Sequence, residues 1–596
     1  MAVKALAPFA AIFLILLMGS LAFLSMAQDS LTFDELAHIG AGYSYLTHQD
    51  YRLNPEHPPL WKDAAAVPLL FLNLKFPDQS DWWTQQDSAP AWWVQFNFGK
   101  ELLYGSGNNP SQIIFWSRVP MILILLCLAW FLFRWGKELG GAWVGLGTLF
   151  LIAFSPTFLA QGRLVTNDVA AALGAAVSMY YWLQFLRDPK KENVVKAGLA
   201  FGFAMLMKFT LLLLAPTFVI MTFLYAFLNP GSSRVRTLTK YIVLSLGAAL
   251  IGLLLIASVY QFHVWNYPAE RQLRDTAADL TPNKITPIKD LVLSMAENPV
   301  LRSLAQYARG IVMAGQRAAF GNTVYFKGEI SASGFSSYFP TLYSLKEPLA
   351  YHVINFILPL GFAFLLLKEF LKKRSKGSFF QSAISWMKEN FTVISFFVFI
   401  NIFWASALLG NLNIGIRHLL PIYPFSFLLL AWGAKELYIR LGEITKRTFV
   451  VTLVILGVWY GASSLSAFPH YLSYYNELAG GIDQGYKIAV DSNYDWGQDF
   501  YKLRDFVREN NIDRISLDYF GGENPEYWLG SAVQKLDPFQ TPHPMGWIAV
   551  SLNQFMGGVA MPVSGYDQPS GYYQWLAQQT PVARAGKSIL IFHIEK

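Results

Sequence analysis

Residues 5–26 read ALAPFAAIFLILLMGSLAFLSM, and this apolar run decides the fold class. About 17–25 apolar residues in a helix span the ~30 Å hydrocarbon core of a bilayer. The run exceeds the ~7–15 apolar residues of a signal peptide, so a retained anchor is favoured over cleavage at Ser25-Met26-Ala27. Comparable runs follow at 113–133, 142–160, 168–186, 241–262, 350–367, 391–410, 418–434 and 448–466. The sequence therefore predicts an α-helical polytopic membrane protein.

The composition agrees with this fold class. Of 596 residues, 54% are hydrophobic and 14% charged, with a mean hydropathy of +0.33, whereas soluble chains carry about 25% charged residues. Cys127 is the single cysteine, so an intrachain disulfide and a cysteine metal cluster are excluded. No phosphate-cradling glycine loop or nucleic-acid motif accompanies the net charge of +7, so no nucleic-acid partner is predicted.

The distribution of basic residues predicts the topology. The stretch 196–228 is long for one span, and a hairpin turning near Lys208 brings the total to about eleven spans, within a range of about 10 to 13. The short loops on one side then hold only Arg163, Lys208 and Arg417. The positive-inside rule thus predicts a cytoplasmic amino terminus. The basic residues grouped on that side are Lys4, Arg134, Lys137, Arg187, Lys190, Lys191, Lys196, Arg234, Arg236, Lys240, Lys368, Lys372, Lys373, Arg374, Lys376, Lys388, Lys435, Arg440, Lys446 and Arg447.

This topology places three long segments outside: a first long loop (27–112), a second long loop (263–349) and a C-terminal region (467–596). We expect residues 1–466 to form a transmembrane catalytic domain and residues 467–596 a small extracytoplasmic α/β domain. Loops of this length are functional or disordered, and the tryptophan pairs 82–83 and 92–93 are typical of interfacial helices. In the C-terminal region, a helix at 499–511 and strands at 515–520, 547–552 and 588–594 are predicted.

Polar residues that could carry chemistry follow the first span. Thr32 and Glu35 have the spacing of a helix capping box, whereas Asp34 and His38 share one helical face and could hold a proton acceptor in position. Glu56 and His57 lie in a proline-rich loop that cannot be regular helix. Asp168, after Asn167, is either part of a helix cap or a second carboxylate at the same face. Arg417 either extends to the headgroups or binds a phosphate.

Together these residues resemble the GT-C superfamily of multi-spanning glycosyltransferases, in its protein mannosyltransferase and aminoarabinose transferase branch. The resemblance covers nearly the whole chain, with motifs in matching order. The matching segments are Phe33-Asp-Glu-Leu-Ala-His38, Gly42-Tyr43, Glu56-His-Pro-Pro-Leu60, Asn167-Asp168, Gly321-Asn-Thr-Val-Tyr-Phe-Lys-Gly328, Tyr338-Phe-Pro340, Lys346-Glu-Pro348, Arg417-His-Leu-Leu-Pro421, Pro469–Glu477 and Asp491–Gln498.

The resemblance implies an inverting transfer of a sugar from a polyprenyl-phosphate carrier to a hydroxyl of a protein, lipid or glycan acceptor, outside a bacterial plasma membrane. It implies Asp34 as catalytic base and Asp168 as a second acidic residue, with Glu35 beside them. It also implies a divalent metal on Glu56 with His263 or His57, although His57 replaces the lysine of the family. From their position outside, Arg417, Lys208 and His57 are expected to bind the donor phosphate, with Lys346 and Arg317 next. We expect His38, Tyr43 and His418 to contact substrate.

Two other functions remain open from the sequence. An oligosaccharyltransferase-like enzyme acting on asparagine is suggested by Asp495-Trp-Gly-Gln498, which resembles a peptide-binding motif in altered order. A transporter or flippase would carry ionisable residues at span centres, and the span interiors are nearly free of charge.

Overall fold

The computed structural model describes residues 2–84, 91–231, 233–281, 286–372 and 376–595. The predicted loop cations Lys373 and Arg374 lie outside the described residues. Over the described ranges, seven helices are long and apolar enough to cross a bilayer. They are Leu6–Met26, Pro110–Gly140, Asp168–Arg187, Phe209–Leu228, Arg234–His263, Phe391–Leu409 and Glu443–Ser466. The predicted class, an α-helical polytopic membrane protein, is confirmed.

The four other predicted spans are also helical but are shorter, interrupted or less apolar. Helix Lys191–Met205 ends before Lys208, and a 3₁₀ turn at Phe209–Leu213 leads into Leu214–Leu228, which confirms the predicted hairpin. The remaining helices of this part are Ala142–Ala153, Pro156–Gln161, Leu349–Lys372, Lys376–Glu389 and Tyr423–Arg440, the last preceded by a 3₁₀ turn at Ile416–Ile422.

The first long loop folds around helix Phe33–His48. The predicted capping box is present, because the Glu35 carboxylate accepts from the Thr32 backbone N–H at 3.0 Å and from its hydroxyl at 2.9 Å. A Cβ on Gly99 would lie 2.1 Å from the Leu36 carbonyl oxygen, so only glycine permits this close approach of two helices. The other elements are Leu60–Ala66, Val67–Phe71, Asp81–Thr84, Ala91–Lys100 and Glu101–Gly105.

The second long loop contains helices and a small sheet. Strands Val324–Phe326 and Glu329–Ser331 pair antiparallel, and Met561–Pro562 of the C-terminal region pairs parallel with the second of them. The C-terminal region therefore completes a sheet that the loop begins. The helices are Ala269–Asp279, Thr286–Glu297, Arg302–Phe320 and Tyr338–Leu345.

The end of the chain forms the predicted α/β unit. Helix Phe500–Glu509 packs on a five-stranded sheet, and all three strands expected from the sequence are present. In spatial order the strands are Val533–Lys535, Ile515–Asp518, Gly546–Ser551, Ile589–Ile594 and Ala583–Ala585, of which the first three are mutually parallel. Short helices at Pro525–Leu529, Leu552–Val559 and Gln574–Ala577 complete the unit.

Residues 467–499 connect the last span to this unit and pack against the transmembrane part. The Lys346 ammonium donates to the carbonyl oxygens of Leu472, Tyr474 and Asn493, at 3.0, 2.6 and 2.7 Å. Asn493 also accepts from the Ile416 backbone N–H at 2.9 Å. The sheet unit thus begins near residue 500, after the domain boundary expected at 467.

Candidate active site

Two carboxylates that are distant in sequence meet at one guanidinium group. Arg417 Nη1 donates to Asp34 Oδ2 at 3.0 Å and lies 3.8 Å from Asp168 Oδ2. Asp34 occupies the first turn of helix Phe33–His48, and Asp168 begins helix Asp168–Arg187. The convergence expected from the sequence is therefore present in the structure.

Asp34 and Asp168 have different environments. The Asp34 side chain is 19% exposed, whereas Asp168 is fully buried and lies 2.5 Å from the Lys208 ammonium. Asp34 lines the cavities described below, and Asp168 lines neither of them. Asp34 is thus accessible to a substrate. Asp168 pairs with Lys208 and Arg417 outside the cavity walls.

A small chamber of about 100 Å³, here called the inner chamber, lies in front of Asp34. It opens into a larger cavity of about 430 Å³, here called the apolar cavity, and the two share Asp34, Glu56 and Arg317 in their walls. His38 and His57 also line both, and Lys208, Arg417 and His418 line the inner chamber. Of the residues predicted to contact substrate, His38 and His418 therefore face this space.

Three cations and two carboxylates line the described walls of the inner chamber: Arg317, Arg417 and Lys208, with Asp34 and Glu56. Arg317 lies 4.7 Å from the ring centre of Trp92 and makes no ion pair within 4 Å to any described residue. Burial raises the pKa of Glu56, and buried carboxyls favour their neutral form. The chamber is therefore cationic and suits an anionic group.

The charge state of Asp34 follows from these neighbours. Burial alone would raise its pKa, but the Arg417 guanidinium, helped by His38 and Arg317, outweighs burial and holds the pKa of Asp34 below its usual value. Burial lowers the pKa of His38 to about 4, and that of His57 well below its usual value. Near neutral pH, an ionised carboxylate therefore lies beside two neutral imidazoles.

The proline-rich loop is positioned by a buried lysine that sequence reasoning missed. Lys62 Nζ donates to Asn54 Oδ1 at 2.8 Å and to the His57 carbonyl oxygen at 2.9 Å. Asn54 in turn donates to Glu56 Oε1 at 3.0 Å, and His57 Nδ1 lies 3.2 Å from Asn167 Nδ2. These contacts fix Glu56 and His57 at the chamber wall.

Glu35 lies outside the chamber, which corrects its expected catalytic role. Its carboxylate is fully buried, pairs with Arg118 at 2.6 Å and accepts from the Val165 backbone N–H at 2.9 Å. All of its acceptor positions thus serve the helix cap and neighbouring segments. A second buried pair, Arg163 with Asp29 at 2.5 Å, holds the chain just before this helix.

The C-terminal region contacts both Arg417 and the residues that precede Asp34. The Arg417 guanidinium lies 4.2 Å from the ring centre of Trp496, and the Trp496 carbonyl oxygen accepts from the Phe33 backbone N–H at 3.0 Å. Leu31 N–H donates to Glu523 Oε1 at 2.8 Å. Trp496 therefore positions Arg417 by a cation–π contact and also fixes the residue before Asp34.

Two further sequence expectations differ from the structure. Tyr43 is buried and packs on Phe76 rather than facing the chamber. Both ring nitrogens of His263 are engaged, by the Val259 carbonyl oxygen at 2.7 Å and by Asp63 at 3.0 Å, whereas Glu56 bonds Asn54. Glu56 and His263 thus have different partners, whereas the alternative ligand His57 lines the inner chamber together with Glu56. Two such side chains are too few for a metal site, and the described residues contain no group of three His, Cys, Asp or Glu side chains able to hold a metal.

The motif that suggested a peptide site is buried. Asp495, Trp496 and Gln498 are at most 3% exposed, and Asp495 accepts from the backbone N–H groups of Asn553 and Gly497. These motif residues are therefore not exposed to a peptide in this structure, and Trp496 instead contacts Arg417.

Comparison with known proteins agrees with the resemblance over about a quarter of the chain, a part that includes Asn167 and Asp168. Residues 111–262 match the family model described as dolichyl-phosphate-mannose-protein mannosyltransferase. Comparison with the curated proteins gives no match.

Solved structures show distant likenesses. The oligosaccharyltransferase of Archaeoglobus fulgidus in its apo form matches with 13% identity and a TM-score of 0.45 over 91% of this chain and 62% of that one. ArnT from Cupriavidus metallidurans bound to undecaprenyl phosphate matches with 12% identity and a TM-score of 0.27 over 97% of each chain. This chain thus spans less than two thirds of the archaeal enzyme, and neither likeness bears on substrate or mechanism.

Proposed function

We propose that this protein is an inverting glycosyltransferase that moves a sugar from a polyprenyl-phosphate carrier to an acceptor hydroxyl on the extracytoplasmic side of a membrane. The observation that carries the proposal is the pairing of one accessible carboxylate, Asp34, with three cations around a single chamber. An acceptor hydroxyl needs a base, and a departing phosphate needs cations. The chamber supplies both within one small space.

In this proposal Asp34 is the general base. The acceptor oxygen attacks the anomeric carbon and loses its proton to Asp34, while the bond between that carbon and the phosphate oxygen breaks. The electron pair of that bond leaves with the polyprenyl phosphate, and attack from the opposite side inverts the anomeric centre. Base catalysis of this kind typically contributes about 10²–10⁴-fold to the rate.

The cations stabilise the leaving group. A polyprenyl-phosphate sugar is a phosphodiester with one negative charge, and the released monoester gains a second. Fixed cations in a low-dielectric chamber favour this developing charge. Arg417 and Arg317 are placed to hold the phosphate, Lys208 adds charge at the chamber wall, and Asp168 is a positioning residue for Lys208 and Arg417.

The apolar cavity offers a path for the polyprenyl chain. Its wall includes Trp93, which is 71% exposed, and Phe320, which is 58% exposed, together with Phe96 and Met313. Exposed aromatic side chains of this kind suit the boundary between headgroups and hydrocarbon. The carrier would thus enter from the bilayer side, with its phosphate directed toward Arg317.

The basic loops support the proposed orientation. The predicted cytoplasmic cations Lys190 and Lys196 are well exposed. The three cations predicted for the opposite side are instead buried and paired: Arg163 with Asp29, Lys208 with Asp168, and Arg417 with Asp34. These three buried cations serve the structure and the site, so they do not contradict a cytoplasmic side marked by exposed loop cations. The distribution of basic residues supports an orientation with the chamber outside, and the proposed location is the plasma membrane.

Mass spectrometry of the reaction products tests the proposal. Purified protein in lipid nanodiscs would be incubated with polyprenyl-phosphate mannose, and released polyprenyl phosphate and transferred sugar would be measured. We expect Asp34→Asn to retain the fold and donor binding and to slow sugar transfer by about 10²–10⁴-fold.

The matched control is Asp505→Asn, because Asp505 is half-exposed on helix Phe500–Glu509, where it pairs with the neighbouring Arg504. That variant should transfer sugar at the wild-type rate. Sugar transfer at the full rate by a folded Asp34→Asn protein would refute the assignment of Asp34 as the base. If the wild type cleaves no polyprenyl-phosphate sugar, the proposed function itself is wrong.

A further inference from the structure

A second open space lies beside the chamber and adjoins the apolar cavity. This space, here called the polar groove, has a volume of about 560 Å³ and lies between the second long loop and the C-terminal α/β unit. Asn322 belongs to the walls of both the groove and the apolar cavity, and Phe520 of the groove stacks on Phe33 of the cavity at 5.0 Å. The two spaces therefore share a wall next to Asp34.

The groove also reaches the catalytic cations. Asn413 lines the groove, while the next residue, Ile414, lines the inner chamber. Asp491 lies in the groove wall, and its charge acts on both Arg417 and Asp34. Its backbone has a positive φ of 56°, which non-glycine residues rarely adopt outside functional or tightly constrained sites. A ligand in the groove would thus end close to the base.

The lining combines amide side chains with aromatic rings. Five Asn and Gln side chains and five aromatic rings line the groove, against three charged residues, Asp491, Asp518 and Lys535. Each amide presents donors and an acceptor in one plane, which matches the paired hydroxyls of a sugar ring. Aromatic faces pack against the apolar C–H faces of the same rings. A groove for a strongly charged ligand would carry more charged side chains, and a groove for a purely apolar ligand would carry fewer amides.

Contacts behind the lining fix these polar groups before any ligand binds. The Phe335 backbone N–H donates to Asn413 Oδ1 at 2.6 Å, and the Asp491 N–H donates to Asn553 Oδ1 at 3.2 Å. Since a backbone N–H selects the amide oxygen, the amide nitrogens of Asn413 and Asn553 remain as donors, and neither has a hydrogen-bond partner among the described residues. Gln554 Nε2 donates to Asp518 Oδ1 at 3.1 Å, which leaves its own oxygen as an acceptor.

We infer that the polar groove is the acceptor site and that it binds a neutral oligosaccharide, one of whose hydroxyls reaches Asp34. The inference rests on the proposed function, because an acceptor site needs a donor chamber beside it. It goes further by assigning the acceptor class. The lipid-linked donor and the water-soluble acceptor then approach the base through two adjoining spaces, one apolar and one polar.

The variant Phe539→Ala with Gln568→Leu tests the assignment. Both side chains lie in the groove wall and are exposed, so their replacement should leave the fold intact. The probes are maltotetraose and cellotetraose, with a serine- and threonine-rich peptide as the competing acceptor. Oligosaccharide binding to the full chain in nanodiscs would be followed by saturation-transfer NMR, and transfer from polyprenyl-phosphate mannose by mass spectrometry.

We expect at least one oligosaccharide to bind and to accept sugar, and the double variant to raise its KM by about 10- to 100-fold. Release of polyprenyl phosphate to water should stay unchanged in the variant. The control Tyr527→Ala removes an equally exposed aromatic ring outside the groove and should change neither quantity.

Each outcome separates the two proposals. Oligosaccharide binding that the variant abolishes, without any donor cleavage, supports the groove as an oligosaccharide site but overturns the proposed function and, with it, the acceptor role. Three results with an active donor-cleaving enzyme would overturn the groove assignment and leave the proposed function standing. They are an unchanged KM for the oligosaccharide in the double variant, sugar transfer to the peptide only, and no binding of either oligosaccharide.

Discussion

Replacement of Arg417 by glutamine should make sugar transfer sensitive to pH in a range where the wild type is not. Arg417 lies 3.0 Å from Asp34 and holds the pKa of that carboxyl below its usual value. Asp34 accepts a proton only when ionised, so kcat/KM falls as the pH drops through its pKa. Since the ordinary aspartate value is about 3.9, the wild type should show no acid limb above about pH 4.

The magnitude follows from the charge separation. Two unit charges about 4 Å apart interact by about 4 kcal/mol at an effective dielectric constant of about 20, and one pKa unit corresponds to about 1.4 kcal/mol. Asp168 shares the same guanidinium, which reduces the effect on Asp34. We therefore expect the pKa of Asp34 to rise by about 1 to 3 units in Arg417→Gln, as for other Asp–Arg pairs.

The assay is the pH dependence of kcat/KM for release of polyprenyl phosphate from polyprenyl-phosphate mannose, which reports ionisations of the free enzyme. Arg317→Gln is the matched control, because Arg317 also lines the chamber but acts on Asp34 more weakly than Arg417 does. It should lower kcat/KM with a smaller displacement of the acid limb. An acid limb that stays in place, or moves to lower pH, in Arg417→Gln would refute the assignment of Asp34 as a base controlled by Arg417.

Two further expectations concern the supports of the site. Arg118→Met should lower the free energy of unfolding by about 3–5 kcal/mol, because it leaves the buried Glu35 carboxylate unpaired. Denaturation experiments should show that adding Glu35→Gln recovers part of this loss. Equal losses in the single and double variants would contradict the pairing. Trp496→Leu should lower kcat/KM by about 2- to 30-fold, because it removes the aromatic ring next to Arg417. Trp496→Phe should retain part of the lost kcat/KM. An unchanged kcat/KM in folded Trp496→Leu would show that the contact has no catalytic effect.

The spans and the α/β unit could be predicted because their signals are local. Apolar runs of membrane length, the charge asymmetry of the loops and the proline-rich loop each depend on neighbouring residues. The hairpin at Lys208 followed from charge alone and is present. The strands at 515–518, 546–551 and 589–594 likewise follow from short apolar runs.

The supports of the site could not be predicted in this way. Arg118 lies within a run that looks like a simple span, and its partner Glu35 already had an explanation as a helix cap. Trp496 is separated from Arg417 by 79 positions along the chain. Nothing local distinguishes such partners, because each contact depends on how distant segments pack.

The polar groove likewise depends on tertiary structure. Asn322, Asn413 and Asn553 come from three different parts of the chain, and each is unremarkable by itself in sequence. Asp491 carried a family resemblance without an assigned role, and its backbone conformation appears only in the folded chain. The amides become a candidate ligand site only when the second long loop and the C-terminal unit meet.

The backbone hydrogen bonds between residues 30–33 and residues 496–522 have a consequence for biosynthesis. The segment carrying Asp34 is translated and inserted early, whereas Trp496 and Glu523 leave the ribosome only after every span has been made. In a nascent chain, Asp34 would therefore be present before its neighbouring segment has its backbone hydrogen bonds to residues 496–522 and before Arg417 has its contact with Trp496. We therefore expect a nascent chain that stops before residue 496 to cleave lipid-linked sugar more slowly than a chain that has folded beyond it.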